Sequence, residues 1–235
     1  FYMRIKNVDF RTALKEIANM QGIIETKSKT VATFEYKGAD GSVLYTKERV
    51  EPGRDGKGKE FFFKHRESGK QTNGRGNNPI LYNLPEVIKA KVVFVVEGEG
   101  KADLLKRWEL VATCLDAGAN SPWKSEYAKH LEGKEEIIFF PDNDKAGSDY
   151  ALKIATALHG KVRIIKVVEL SGLEEKEDII DWEKTVGNDK AKLLEIINEA
   201  PVFNGETTEE NQDEKTTNIE LLEKAINNKT INPSQ

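Results

Sequence analysis

Apolar positions along the chain change their period twice. Phe10, Ala13, Leu14, Ile17 and Ala18 recur at the spacing of one helix face, with Asp9 placed to cap its start and Gly22 to stop it. From Val31 to Arg66 the period shortens to that of strands. Ala32 to Tyr36, Val43 to Val50 and Glu60 to His65 are β-rich runs parted by glycine turns, and Ala39-Asp40-Gly41 is the clearest hairpin signal. Alternate members of Phe61-Phe62-Phe63 are expected to pack a core, and Ser68 to Pro79, rich in Gly, Asn, Lys and Arg, reads as an exposed basic loop.

Beyond Lys91, strand-sized apolar runs alternate with amphipathic helices. Val92 to Val96 precedes Ala102 to Trp108, Leu110 to Leu115 precedes Pro122 to Leu131, Ile137 to Phe140 precedes Ala146 to Leu158, and Val162 to Val168 precedes Ala191 to Ala200. Such runs belong to strands buried on both faces, so the pattern predicts an α/β domain: a parallel four-stranded sheet with helices on both faces, preceded by a small antiparallel β-containing basic subdomain. After Pro201 the chain turns polar and acidic, with one further short amphipathic piece at Ile219 to Ile226.

These changes divide the chain into residues 1–24, a helix; 25–90, the basic subdomain; 91–203, the α/β domain; and 204–235, an acidic linker with a short C-terminal helix. The opening Phe1-Tyr2-Met3 stands in mid-pattern, which gives the expectation of a fragment whose first helix ends a missing upstream domain.

Charge adds to this picture. The net charge is −4, yet residues 45–75 hold nine Lys/Arg against five Asp/Glu, while residues 205–216 hold five acids against one lysine. An acidic tail masks a basic middle, in which Arg49, Lys64, Arg66 and Arg75 are candidates for contact with nucleic-acid or nucleotide phosphates. A charged fraction of 32% and no run of membrane-spanning length give the expectation of a cytoplasmic protein with no membrane partner. The single cysteine, Cys114, excludes a disulfide framework and a cysteine zinc site, and reads as a buried strand residue.

Candidate chemistry gathers at the carboxyl ends of two strands, where open parallel sheets place their functional groups and helix N-termini point. The first strand runs into Glu97-Gly98-Glu99-Gly100; the third runs into Pro141-Asp142-Asn143-Asp144-Lys145-Ala146-Gly147. Carboxylates massed at buried strand tips repel each other and are costly to desolvate without a cation. A hard divalent ion such as Mg²⁺ or Mn²⁺ relieves that cost and leaves positions for phosphate oxygens. Asp142 and Asp144, two apart in an extended segment, point to the same side. Gly98 and Gly147 allow close approach, and Lys145 opens the next helix where it can serve a phosphate.

The Val-Val-Glu-Gly ending and the Phe-Pro-Asp-Asn-Asp-Lys-Ala-Gly ending two strands later closely resemble the two signature motifs of the Toprim domain, shared by DnaG-like primases, topoisomerases and OLD-type nucleases. Ile80-Leu81-Tyr82-Asn83-Leu84 resembles the segment before the Glu-Gly motif of bacterial-type primases. Phe34-Glu35-Tyr36 through Asp40-Gly41 to Tyr45 and Arg49 is similar to the opening of phage and plasmid primase–helicase modules. Tyr2-Met3-Arg4 with Phe10 to Leu14 resembles the end of their zinc-finger domain, so that zinc would belong only to a missing upstream domain.

The resemblance, running from residue 1 to about 203, implies a DNA-primase-like nucleotidyltransferase that makes short primers on a single-stranded DNA template from nucleoside triphosphates, with a replicative helicase fused or associated. It implies Glu97 as acid/base or metal-linked glutamate, Asp142 and Asp144 as the metal pair, and Asp178, in Glu177-Asp178-Ile179-Ile180-Asp181, as a further acid lining the site and a candidate metal ligand. One position departs from the pattern: many primases carry an Asp four residues after the glutamate, where this chain has Lys101, with Glu99 and Asp103 nearby. An OLD-type nuclease and a non-catalytic nucleic-acid-binding module are the alternatives.

Overall fold

The computed structural model describes residues 2–21, 27–77, 79–117 and 123–205. Gly22 and the 219–226 piece lie outside the described residues. The chain forms two compact units, Phe1–Glu35 with Leu44–Gly76, and Tyr36–Val43 with Asn77–Gln235.

In the first unit, α1 (Tyr2–Lys6) precedes α2 (Phe10–Met20). Asp9 caps α2 as expected, its Oδ1 accepting the backbone N–H of Arg11 at 2.8 Å and of Thr12 at 3.1 Å. An antiparallel sheet follows, ordered β1 (Lys29–Lys37), β2 (Val43–Glu51), β3 (Glu60–Glu67) and β4 (Lys70–Asn73), with the end of β1 and its turn into β2 belonging to the second unit. Gly41, at φ 83°, closes the β1–β2 turn, and Asp40 Oδ1 accepts the N–H of Ser42 at 3.0 Å. The fourth strand corrects the expected loop over 68–79. Ser68 and Gly69 both take positive φ, 49° and 79°, so Glu67 pairs directly with Lys70 and the hairpin continues.

The phenylalanine run is only partly a core. Phe63 packs edge-on against buried Tyr45, whereas Phe61 is exposed with the ammonium of Lys47 4.5 Å from its ring centre, and the Arg54 guanidinium lies 5.0 Å from the ring centre of Phe62.

The second unit contains α3 (Leu84–Lys89), β5 (Val92–Val95), α4 (Glu99–Arg107), β6 (Ala112–Thr113), α5 (Ser125–Leu131), β7 (Glu136–Phe139), α6 (Lys145–Leu158), β8 (Ile164–Val167), α7 (Ile179–Lys184) and α8 (Lys190–Glu199). Its four strands are parallel in the order β6-β5-β7-β8. Alternation splits β5 and β7 between two buried layers. Val93, Val95, Ile137 and Phe139 join Tyr127, Leu131, Ile154 and Leu158 in one cluster. On the other face Phe94 and Phe140 stack at 6.0 Å, with Leu104 and Leu105 also buried. Both faces are covered, as the uninterrupted apolar runs require.

Two details differ from the sequence reading. The second strand shrinks to Ala112–Thr113, and Cys114 lies buried just past it. A short helix, α7, forms ahead of α8, because Asp178 and Asp181 make a capping box at its start. Among the described residues no helix is long and apolar enough to cross a membrane.

Candidate metal centre

Strand order decides which acids meet. β5 and β7 are neighbours in register, Val95 opposite Phe139, so the segments leaving their carboxyl ends run side by side. Glu97 Oε1 accepts the backbone N–H of Asp142 at 3.2 Å. Asp144 caps α6, its Oδ1 accepting the N–H of Gly147 at 2.8 Å. This is why the Asp-x-Asp segment leads straight into a helix: its second carboxylate satisfies a donor of the first turn.

Asp178 arrives from the loop after β8 and caps α7 in the same manner, accepting from Ile180 N at 2.7 Å. Asn143 ties that loop down. Its side-chain amide donates to the carbonyls of Leu173 and Glu174, both at 2.9 Å, while its backbone N–H bonds Glu177 O at 2.9 Å and its carbonyl accepts from Lys176 N at 3.0 Å. An amide donor between two aspartates is the sequence signal for this role, and the motif reading passed over it.

The centre of the cluster is Lys101. It stands in the first turn of α4, its side chain only 11% exposed, and its ammonium donates to Asp142 Oδ1 and lies 3.1 Å from Asp178 Oδ2. The departure from the motif is therefore not a surface change. Glu99 and Asp103 do not join the cluster: the hydroxyl of Tyr36 donates to buried Glu99 at 2.5 Å, and that of Tyr82 to Asp103 at 3.0 Å.

Electrostatics follow from burial. Burial, with the charges of Asp142 and Asp144, raises the Glu97 pKa above its ordinary value against the lowering effects of the Asp142 N–H and Lys101. Burial also raises Asp142, assisted by Asp178 and Asp144 and opposed by Lys101. For Lys101 burial favours the neutral amine, but the contacts to Asp142 and Asp178 prevail and raise its pKa.

Among the described residues no three His, Cys, Asp or Glu side chains form a ready-made metal cage. The donor chemistry nevertheless fits a hard divalent ion, since Glu97, Asp142 and Asp144 offer oxygen alone and carry more negative charge than one ammonium balances. Gly147 is tightly packed against the two strand tips. A Cβ there would lie 2.5 Å from Asp142 O and 2.6 Å from Glu97 Oε1, whereas Gly98 faces open space.

No protein-family model and no curated protein sequence matches the chain. Solved structures do. The primase of Aquifex aeolicus, with its zinc-binding and RNA polymerase domains, aligns with a TM-score of 0.56 at 17% identity, over 89% of this chain and 54% of that one. A DNA primase domain from Pseudomonas aeruginosa gives a TM-score of 0.53 at 21% identity, over 72% and 51%. A DnaG primase catalytic domain bound to single-stranded DNA gives 0.51 at 19% identity, over 72% and 53%. The fold is that of a DnaG-type primase catalytic core. The chain spans about half the length of these primase structures.

Within this primase-core fold the basic candidates occupy varied surroundings. Arg49 pairs with Glu51, and Lys64 with Glu48 at 2.7 Å. Arg66 is exposed on β3, and the guanidinium of Arg75 lies 4.3 Å from the ring centre of Phe63. Lys145 is 84% exposed and 3.4 Å from Asp149, one turn along α6, which directs it along the helix surface.

Proposed function

We propose that the chain is a primase core that joins nucleotides on a single-stranded DNA template. The observation that supports this most strongly is the primase-core fold in which Glu97 accepts the backbone N–H of Asp142 at adjacent strand tips and Lys101 pairs Asp142 with Asp178. Glu97, Asp142 and Asp144 would hold Mg²⁺ or Mn²⁺, which when bound neutralises triphosphate charge and acidifies the attacking hydroxyl. Glu97, as a metal ligand, would position the primer 3′-hydroxyl that the ion acidifies. Asp144 holds the start of α6 in place, and the N–H groups of that first turn favour a phosphate. Arg66 and Arg75 would contact template phosphates, with Arg49 and Lys64 joining as their acidic partners yield. The partners of such an activity are the template, nucleoside triphosphates and a helicase, since unwinding supplies single strands.

Incubation with single-stranded template, labelled nucleoside triphosphates and Mg²⁺ or Mn²⁺ tests the reading. New short oligomers that disappear in Asp142→Asn support it. Template shortening without new oligomers would replace it with a nuclease, and template binding with neither product would replace it with a non-catalytic module.

A further inference from the structure

Tyr150 is out of place in its surroundings. It stands on the buried face of α6 at 7% exposure, in the apolar cluster with Tyr127, Leu131, Ile154 and Leu158, and its hydroxyl oxygen is sealed from solvent. Among the described residues no group meets that hydroxyl at hydrogen-bonding geometry. A buried hydroxyl in that state is destabilising, and phenylalanine would fill nearly the same volume without the cost.

Where the hydroxyl points gives it a use. Side chains on a helix lean toward its N-terminus, so the Tyr150 ring lies back over the turn that contains Gly147, three residues earlier on the same buried face. Gly147 is the residue packed against Glu97, where a Cβ would stand 2.6 Å from Oε1. The hydroxyl accordingly feels Glu97, together with Cys114 and Leu115 just past β6 and Tyr127 on α5. Burial, assisted by Cys114, Glu97 and Tyr127 and opposed by the Leu115 N–H, raises its pKa well above the ordinary value. Of these neighbours Glu97 is the fit acceptor. A thiol accepts weakly, a phenol is neutral, and the Leu115 N–H is itself a donor that leaves the hydroxyl hydrogen unmet. A carboxylate accepts several hydrogen bonds and accepts them strongly, and Glu97 takes one among the described residues, from the Asp142 N–H.

We propose that Tyr150 is a positioning residue for Glu97, its hydroxyl holding the carboxylate through one buried water. The inference rests on the primase reading above for what Glu97 does, and adds the residue that fixes how Glu97 is aimed. No direct bond joins the two groups, so a single water is the smallest link that satisfies both. The carboxylate is then steadied from two directions, by the Asp142 N–H at the tip of β7 and by Tyr150 from α6. One helix thereby serves two acids: Asp144 caps its first turn, and its second turn holds Glu97.

The test has a structural arm and a kinetic arm. High-resolution crystals of the full chain should show an ordered water within hydrogen-bonding distance of both the Tyr150 hydroxyl and the Glu97 carboxylate, and Tyr150→Phe should lose it. No water there, or a hydroxyl bonded to Cys114 or Leu115 alone, would overturn the proposal. In solution Tyr150→Phe should unfold close to the wild-type temperature. Its kcat for nucleotide incorporation should fall about 10-fold, as on loss of an orienting partner, with KM for nucleoside triphosphate unchanged. Replacing Tyr150 by 4-aminophenylalanine, which restores a donor of nearly the same shape, should recover the rate. Full activity in Tyr150→Phe, or a joint loss of stability and rate that the amino variant does not recover, would also overturn it. If wild type makes no product, the primase reading falls, and the water alone decides whether Tyr150 holds Glu97.

Discussion

Gly147 lies against Glu97 so closely that a Cβ on the glycine would stand 2.6 Å from the glutamate Oε1. The first turn of α6 can approach the tip of β5 only because this position has no side chain. Asp142 backbone atoms crowd the same spot, at 2.5 and 2.8 Å, so the obstruction is rigid main chain as well as a movable carboxylate. Gly147→Ala is expected to cost about 1–3 kcal/mol of stability, as overpacking does. It should also lower nucleotide incorporation by about 100-fold through misplacement of the acids. Thermal unfolding and turnover of the same samples measure both.

Glu97 gives a pH-dependent signature. A carboxyl whose folded pKa lies above its unfolded value binds protons more readily in the folded state, so its ionisation weakens the metal-free fold. The penalty is complete above the raised pKa and vanishes as pH falls to the ordinary value of 4.5. Glu97→Gln should therefore melt at a higher temperature than wild type at neutral pH without metal, and the gap should close as the pH falls toward 4.5. Saturating Mn²⁺ should reverse the order, since the ion stabilises only the protein that retains the carboxylate.

Asp178 combines two roles that substitution can separate. As the cap of α7 it accepts the Ile180 N–H, and as an anion it partners Lys101. Asp178→Ala should lose about 1 kcal/mol from the cap alone. Asp178→Asn retains capping but not charge, and should unfold close to wild type while losing activity. Denaturant titration of both variants beside primer synthesis resolves the two contributions.

On the basic surface, the exposed Arg66 is expected to matter more than Arg49 and Lys64, whose charges are already met by Glu51 and Glu48. Arg66→Ala and Arg75→Ala should each weaken single-stranded DNA binding equally for all sequences. Each should reduce the slope of log affinity against log salt by about 0.7, the value for one phosphate contact on a single strand. Binding titrations across salt concentrations provide the readout.

Much of the fold could be read from the chain because burial on both faces leaves an unmistakable trace in Val92–Val96 and Ile137–Phe140. The acids at their ends were legible for the same reason: strand polarity fixes where they emerge. Features set by two or three residues were harder to see. β4 depended on Ser68-Gly69 adopting positive φ, which a basic, glycine-rich composition disguised as loop. α7 depended on a capping box between Asp178 and Asp181. Lys101 was visible as a departure from a motif, but its placement between two carboxylates needed the positions of a helix turn and two separate loops, which no local pattern encodes.

Whether these acids hold a divalent ion is decided most directly by locating one. Crystals grown with Mn²⁺ and a non-hydrolysable nucleoside triphosphate, with data collected at the manganese absorption edge, should give an anomalous peak within coordination distance of Glu97, Asp142 and Asp144. A nucleotide ordered elsewhere, with no anomalous peak near those three carboxylates, would contradict the account.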